Sequence, residues 1–411
     1  MEPSCKWHSP GREVVRLISR TELNERIREW GIREDVIEKD YVIGWTLWGI
    51  GSDPRLSDRW AFKGGTCLKK CFLETFRFSE DLDFTVLPGG PSETGQVVPL
   101  LKDALERVYE ESGIDFQARE PVMRTRPDGQ SAEGRIYYRG PRNAPGVASL
   151  RLDLTTGEQV VRPTVLRPIA HPYPDELPIP AQVRCYSFEE AFAEKLRAMG
   201  ERTRPRDLYD IVTLFRRRDA LPDAGAVWSV YKEKCASKGV EVFGHDAIQA
   251  SPFRRELESE WANMLSHQLP ALPPFSALWE ELPELYRWLE GGESVDEPPP
   301  VPVGEGTERT WSPPPTVSVW NQRIPLELVR FAAANRLCVE LVYQNDEYLV
   351  ELYSLRRTRS GQLTLNAVES DSGEVRVYGI EDIHSVRVSE VAFIPRFAVD
   401  IGASEEVGSG P

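Results

Sequence analysis

The sequence predicts an α+β protein: a mixed sheet with helices comes first, a helical half follows, and a smaller β-rich unit ends the chain. Three observations lead there. Residues 60–86 pass from a short strand through a glycine pair and a helical stretch into a second strand. Residues 187–290 repeat apolar positions at helical spacing. Beyond a stretch rich in proline, glycine and acid at 291–316, a helix and several alternating segments follow. A chain of 411 residues is long enough for two or three cores.

Composition narrows the class. With 40% hydrophobic and 28% charged residues the chain reads as globular. No apolar run approaches the roughly 20 residues needed to span a bilayer, so no membrane partner is expected. The opening MEPSCKWHSPGREVVR lacks the apolar core of a secretion signal, and a cytoplasmic location is expected. The six cysteines are scattered without a C-x-x-C pair. Cys67 and Cys71, four apart, read as buried reduced thiols, because no second ligand pair is in sight. A net charge of −15 argues against non-specific nucleic-acid binding by the whole surface. Arginines nevertheless gather at 119–151 and 202–218, flanking the residues singled out below, as a phosphate-binding rim would.

Taken in order, residues 13–50 read as helical, and 60–63 as a short strand leading into Gly64-Gly65-Thr66. Glycines there let backbone N–H groups approach a phosphate. Leu68, Phe72, Leu73 and Phe76 keep near-helical spacing, and Ser79 to Val86 reads as a strand. Alternate strand residues share a face, so Asp81 and Asp83 project together, with Leu82 and Phe84 behind. Two carboxylates so placed repel unless a cation lies between them, and hard oxygens suit Mg²⁺. A lone D-x-D is common on acidic surface strands; the glycine pair upstream is what gives it weight.

A helix is expected over 97–112, then strands over 134–139 and 148–155, the second carrying Asp153 between Leu152 and Leu154. Proline-rich residues 164–184 lead to an edge strand. The next helix opens on Ser187 and Glu190, a capping box, and a second begins at Arg204. The Trp- and Leu-rich pattern of 224–290 is read as bundle core, not as a base-stacking platform. Residues 291–316 are expected to be an extended linker rather than a packed element. A helix at 324–335 precedes strands at 338–343, 347–356, 362–368 and 374–379, and the tail 401–411 is expected to lack order.

G-G-T-x-L at Gly64–Leu68, followed by R-x-S-E-D-x-D-F at Arg77–Phe84, resembles the AbiEii/AbiGii toxin family, whose fold is the nucleotidyltransferase type of DNA polymerase β. Further matches are E-K-D-Y at Glu38–Tyr41, E-E-x-x-A-E-K-L-x-A at Glu189–Ala198 and R-x-x-D-L-Y-D at Arg204–Asp210. The resemblance implies a transferase domain over 10–290, with its catalytic sheet at about 55–185 and its helical part at about 186–290. It implies that Asp81, Asp83 and Asp153 hold two Mg²⁺ ions, Mn²⁺ being the alternative. Lys195 and Asp207 become catalytic. Lys63, Gly64, Gly65, Thr66, Arg77, Ser79, Arg206 and Asp210 become substrate-binding. The choice between Asp207 and Asp210 stays open, with Asp207 preferred; the E-K-D-Y helix is read as structural. The implied reaction moves a nucleotide from an NTP to an acceptor, an RNA 3′ end such as tRNA. Growth inhibition of the abortive-infection kind and a separately encoded antitoxin belong to the same expectation.

V-E-L-x-Y at Val339–Tyr343, the later S-L-R-R and G-Q-L-x-L runs, and F-x-P-R at Phe393–Arg396 resemble a WYL domain, a small Sm-like β-barrel. Gln362-Leu363-Thr364-Leu365 stands where the Trp-Tyr-Leu triplet would fall. This implies a domain over 317–400 that binds a nucleotide or nucleic acid, with Tyr353, Arg356, Arg357 and Arg376 as contacts. Two other classes compete: a nucleotide- or nucleic-acid-sensing regulator with a vestigial transferase site, and a nuclease using the same carboxylates. The intact aspartates count against the first and the G-G-T loop against the second.

Overall fold

The computed structural model describes residues 17–73, 76–217, 223–291, 298–304, 306–308, 311 and 324–401. In place of one helix over 13–50 there are two, α1 (Arg20–Trp30) and α2 (Glu34–Gly51). Gly31 separates them in the left-handed region at φ 62°, a conformation that ends a helix readily at glycine. Ser19 and Glu22 close a capping box at the start of α1. Residues 13–16 of the predicted helix lie outside the described residues. α2 is buried from Val36 to Ile50 apart from Lys39, so it runs through the core and not along its surface.

A short α3 (Pro54–Ser57) leads to β1 (Trp60–Lys63), then α4 (Gly64–Cys67) and a π-helical turn at Leu68–Phe72. β2 (Asp81–Val86), α5 (Thr94–Ser112), β3 (Val122–Thr125), β4 (Ser131–Tyr138), β5 (Ala148–Thr155), β6 (Val165–Pro168) and β7 (Gln182–Cys185) follow. Seven strands form one mixed sheet in the order β3-β4-β5-β2-β1-β7-β6. β2 lies parallel to β5 and β1 parallel to β7; the other neighbours are antiparallel. β2 is thus a central strand, and Leu82 and Phe84 are fully buried.

The helical half comprises α6 (Phe188–Arg202), α7 (Pro205–Phe215), α8 (Ala224–Lys238), α9 (His245–Gln249), α10 (Arg254–Leu265), α11 (Phe275–Trp279) and α12 (Leu282–Leu289). Most of its aromatics are core: Tyr231, Trp261, Trp279 and Tyr286 are buried, whereas Phe253 is exposed. The capping box at Ser187 is only half made. Ser187 Oγ accepts the Glu190 amide, but the Glu190 carboxylate reaches away to the Val161 and Arg162 amides and to Lys234.

The C-terminal unit comprises α13 (Leu326–Ala334), β8 (Leu337–Tyr343), β9 (Asp346–Arg357), β10 (Leu363–Glu369), β11 (Val375–Gly379) and β12 (Ile383–Ala392), with α13 packed on β8, β9 and β12. These five strands form an antiparallel sheet in the order β11-β10-β9-β8-β12. The expected barrel is corrected here: β11 and β12 do not pair, and the sheet stays open. The sequence reading also lacked β12, which lies against β8. Alternation identifies strands but says nothing about whether the first and last of them meet.

The linker expectation is corrected in part. Val301 is buried with Cys338, Tyr353, Val368 and Phe393, and Glu308 N donates to Arg357 O at 2.8 Å. Residues 298–308, where described, therefore pack on the C-terminal sheet; the remainder of 291–316 other than Gly291 and Trp311 lies outside the described residues, as does the tail 402–411. Among the described residues no helix is long and apolar enough to cross a membrane.

Candidate active site

The parallel pairing of β2 with β5 sets Asp83 directly beside Asp153, and the antiparallel pairing of β1 sets Lys63 opposite Asp83. Period-two alternation keeps Asp81 on the same face. Three carboxylates and a lysine thus come to one end of the sheet. Burial, the Asp81 carboxylate and the Asp153 carboxylate push Asp83 up to about 6, against the pull of Lys63 and Lys195. Asp153 is engaged on both oxygens: Arg126 donates to one at 2.8 Å and Arg151 to the other at 2.9 Å. Burial outweighs these two arginines and raises its pKa.

Gly64 explains why the loop carries glycine. Its φ is +80°, and a Cβ there would stand 2.5 Å from Asp83 Oδ2. A Cβ on Gly65 would stand 2.5 Å from the Arg77 guanidinium. Thr66 is buried, and its hydroxyl donates to Asp81 O at 2.6 Å, fastening the loop to the acidic strand. No side chain caps α4. Ser79 and Glu80 are partly buried just ahead of β2.

The two later motifs converge behind the loop. Asp210 is fully buried and binds Arg77 through both oxygens, at 2.7 and 2.8 Å, while Lys195 Nζ lies 2.7 Å from Asp210 Oδ2. Burial opposes ionisation of Asp210, but Arg77 and Lys195 prevail and lower its pKa. Asp207, also fully buried, takes a bidentate pair from Arg202 at 2.7 and 2.8 Å and stands 3.8 Å from Lys195. Arg206 is half-buried, its Nε 3.5 Å from Met264 O, and burial with the nearby Arg77 lowers its pKa.

Several residues that complete this arrangement carry no signal in the sequence. Glu158 pairs with Lys63 and accepts the Thr85 hydroxyl at 3.2 Å. Gln268 accepts from Arg77 at 3.0 Å. Arg126 and Arg151 were visible only as members of an arginine run. Most of that run serves local pairs: Arg139 with Asp115, Arg142 with Glu34 and Glu38, Arg119 over the Tyr137 ring.

The E-K-D-Y helix holds structure together. Glu38 accepts the Arg142 amide, Lys39 pairs with Glu80, Asp40 pairs with the buried Lys70 at 2.7 Å, and the Tyr41 hydroxyl donates to Asp175. On the C-terminal unit the expected contacts are engaged internally. Tyr353 is fully buried and donates to Glu351, which removes it from any binding surface. Arg356 pairs with Asp400, Arg357 with Glu308 and Arg376 with Glu369.

The family model described as "Nucleotidyl transferase AbiEii toxin, Type IV TA system" matches residues 46–285, more than half of the chain. The chain belongs to the AbiEii toxin family. It is therefore a nucleotidyltransferase of the toxin–antitoxin class, for which the family implies an NTP substrate and an antitoxin partner. The match runs from α2 to α12 and leaves the C-terminal unit outside. Among solved structures, the AbiEii-family chain is similar to MenT4, a nucleotidyltransferase toxin of Mycobacterium tuberculosis H37Rv, at 20% identity and a TM-score of 0.44, covering 67% of this chain and 91% of that one. No curated protein matches it.

A divalent metal is general to nucleotidyltransferases, and the donor set here can be tested against one. Among the described residues, the oxygens of Asp81, Asp83 and Asp153 do not all lie within 4.8 Å of one another. Asp81 and Asp83 nevertheless share a face, and Asp83 holds a proton more tightly because it is buried and because the Asp81 carboxylate crowds it. Two hard carboxylates on one strand face, beside the Gly64-Gly65 turn, are the donor type that Mg²⁺ takes.

Proposed function

We propose that this protein transfers a nucleotide from an NTP to the 3′ end of an RNA, tRNA being the acceptor class, with Mg²⁺ as the metal. The observation that carries the reading is the convergence on one sheet end of Asp81, Asp83 and Asp153, the Gly64-Gly65 loop and the Lys195–Asp210–Arg77 cluster. When bound at Asp81 and Asp83, the metal would lower the pKa of the acceptor hydroxyl and neutralise charge on the departing pyrophosphate.

The chain's own groups do the rest. The Gly64 and Gly65 amides receive triphosphate oxygens, and Thr66 holds that loop against β2. Lys195, oriented by Asp210, sets an ammonium toward the same acidic face and stabilises phosphoryl charge. Asp210 and Asp207 are positioning residues, since both are buried and bound to cations. Arg206 and Ser79 line the approach to the site. Arg126 and Arg151 hold Asp153 beside this pair, where it would be a further holder of the metal, and their guanidinium groups would also suit the acceptor's phosphates.

We assign the transferase to residues 10–290 and a WYL-like unit to 317–400, a sensor of nucleotide or nucleic acid that acts beside the transferase. The system works in the cytoplasm, where its NTP and RNA are, and a cognate antitoxin restrains it. The decisive experiment incubates the protein with total tRNA, Mg²⁺ and each labelled NTP in turn, beside an Asp81→Ala/Asp83→Ala double variant. Label entering RNA with the wild type only is expected. Shortening of the RNA would instead favour a nuclease. No label from any NTP, on folded protein, would overturn the RNA-acceptor reading.

A further inference from the structure

We propose that Cys67, Cys71 and Cys185 form a three-thiolate site for a soft, thiophilic cation, directly beneath the nucleotide loop. Among the described residues these are the one set of three His, Cys, Asp or Glu side chains whose ligand atoms all lie within 4.8 Å of one another. Three sulfurs around one ion at about 2.3 Å would lie within that separation. All three side chains are completely buried.

The geometry comes from three elements. Cys67 ends α4, Cys71 lies in the π-helical turn that follows, and Cys185 ends β7 beside Phe62 of β1. The π turn widens the helix by one residue and is a feature found often at functional sites. Arg167 donates to Cys71 O at 3.2 Å, bringing a cation near a cluster that becomes anionic on binding.

Ligand type and number select the ion class. Thiolates favour Cu⁺ and Zn²⁺ over hard cations. Structural Zn²⁺ is almost always four-coordinate, and among the described residues no fourth His, Cys, Asp or Glu joins this set. With the sulfurs sealed from solvent, water is a poor fourth ligand. A closed-shell ion content with three sulfurs, Cu⁺ foremost, fits best.

The test uses the full-length chain under anaerobic reducing conditions, both titrated after purification and loaded during expression in copper- or zinc-supplemented medium. Each sample is passed over a competing chelator, then analysed for metal content and by X-ray absorption. One Cu⁺ per chain with three sulfur neighbours is expected, with Zn²⁺ stripped. Cys67→Ser, Cys71→Ser and Cys185→Ser should each lose the copper, whereas Cys235→Ser, buried on α8, should retain it. The proposal is overturned if the wild type retains no copper by either route, if Cys185→Ser keeps it, or if the metal shows fewer than three sulfurs. Retention of Zn²⁺ with a nitrogen or oxygen neighbour would overturn the three-coordinate assignment. Should the serine variants not fold, the wild-type spectrum decides alone.

Discussion

Gly64 joins two demands in one residue: a positive φ and an approach to Asp83 too close for any Cβ. Gly64→Ala is therefore expected to destabilise the loop by about 1–3 kcal/mol and to abolish NTP binding, checked by calorimetric titration against the wild type. Asp210 is the counterpart on the helical side. Its loss would leave the buried Arg77 and the largely buried Lys195 without their shared carboxylate. Breaking such a network by removing one partner costs roughly 3–5 kcal/mol, so Asp210→Ala should show that deficit in denaturant unfolding. Lys195→Ala leaves Asp210 its bidentate pair with Arg77, so it should cost less stability than Asp210→Ala yet lose at least about a hundredfold in nucleotide transfer. A Lys195→Ala protein with unchanged transfer would remove lysine from the chemistry.

At the scale of elements, α2 illustrates how a helix buried on all sides is anchored by polar ends of its own residues. Tyr41 and Trp45 donate to Asp175, and His171, on the segment after β6, donates its Nε2–H to the same carboxylate at 3.2 Å. Gly44 leaves the space that His171 occupies; a Cβ there would stand 2.6 Å from its Nδ1. Burial lowers the His171 pKa against the opposing influence of Asp175 and Asp40, with Lys70 adding to the lowering and Tyr41 and Tyr173 packed on the ring. The unfolded imidazole takes up a proton below about pH 6.5, while the folded one resists it. Stability from this residue is therefore present above that pH and lost as pH falls through it. Denaturant midpoints between pH 7.5 and 5.5 should fall more steeply for the wild type than for His171→Gln. Equal slopes would show that His171 does not set this dependence.

Across the whole molecule, the transferase and the C-terminal unit share apolar core. Leu326, Val329, Phe331 and Ala332 of α13 belong to the same buried cluster as α1 and α7. Polar ties cross the same boundary: the Tyr209 hydroxyl donates to Asn335 at 2.9 Å, Glu281 binds both Arg216 and Arg336, and the Glu327 amide donates to Glu29. Tyr209 lies between Asp207 and Asp210 on α7, so the C-terminal unit touches the helix that positions Lys195. A single cooperative transition is expected in calorimetry of the full chain, and a chain truncated after residue 291 should melt lower and aggregate. Two separate transitions would show that the shared core does not couple the units.

Short-range pattern determined much of this protein. Period two put Asp81 and Asp83 on one face and flanked Asp153 with buried leucines; the glycine pair, the Ser187 cap and the two motifs on α6 and α7 were likewise local. Those features depend on residues a few positions apart, and backbone geometry converts such spacing directly into shared faces. What tertiary structure decided was every relation across distance. It brought Cys185 to Cys67 and Cys71, Glu158 to Lys63, and Gln268 to Arg77, and it gave Asp210 to Arg77. It also left the second sheet open and seated α13 on the transferase. Such contacts follow from which surfaces close-packing brings together, and no periodicity in the chain encodes that choice.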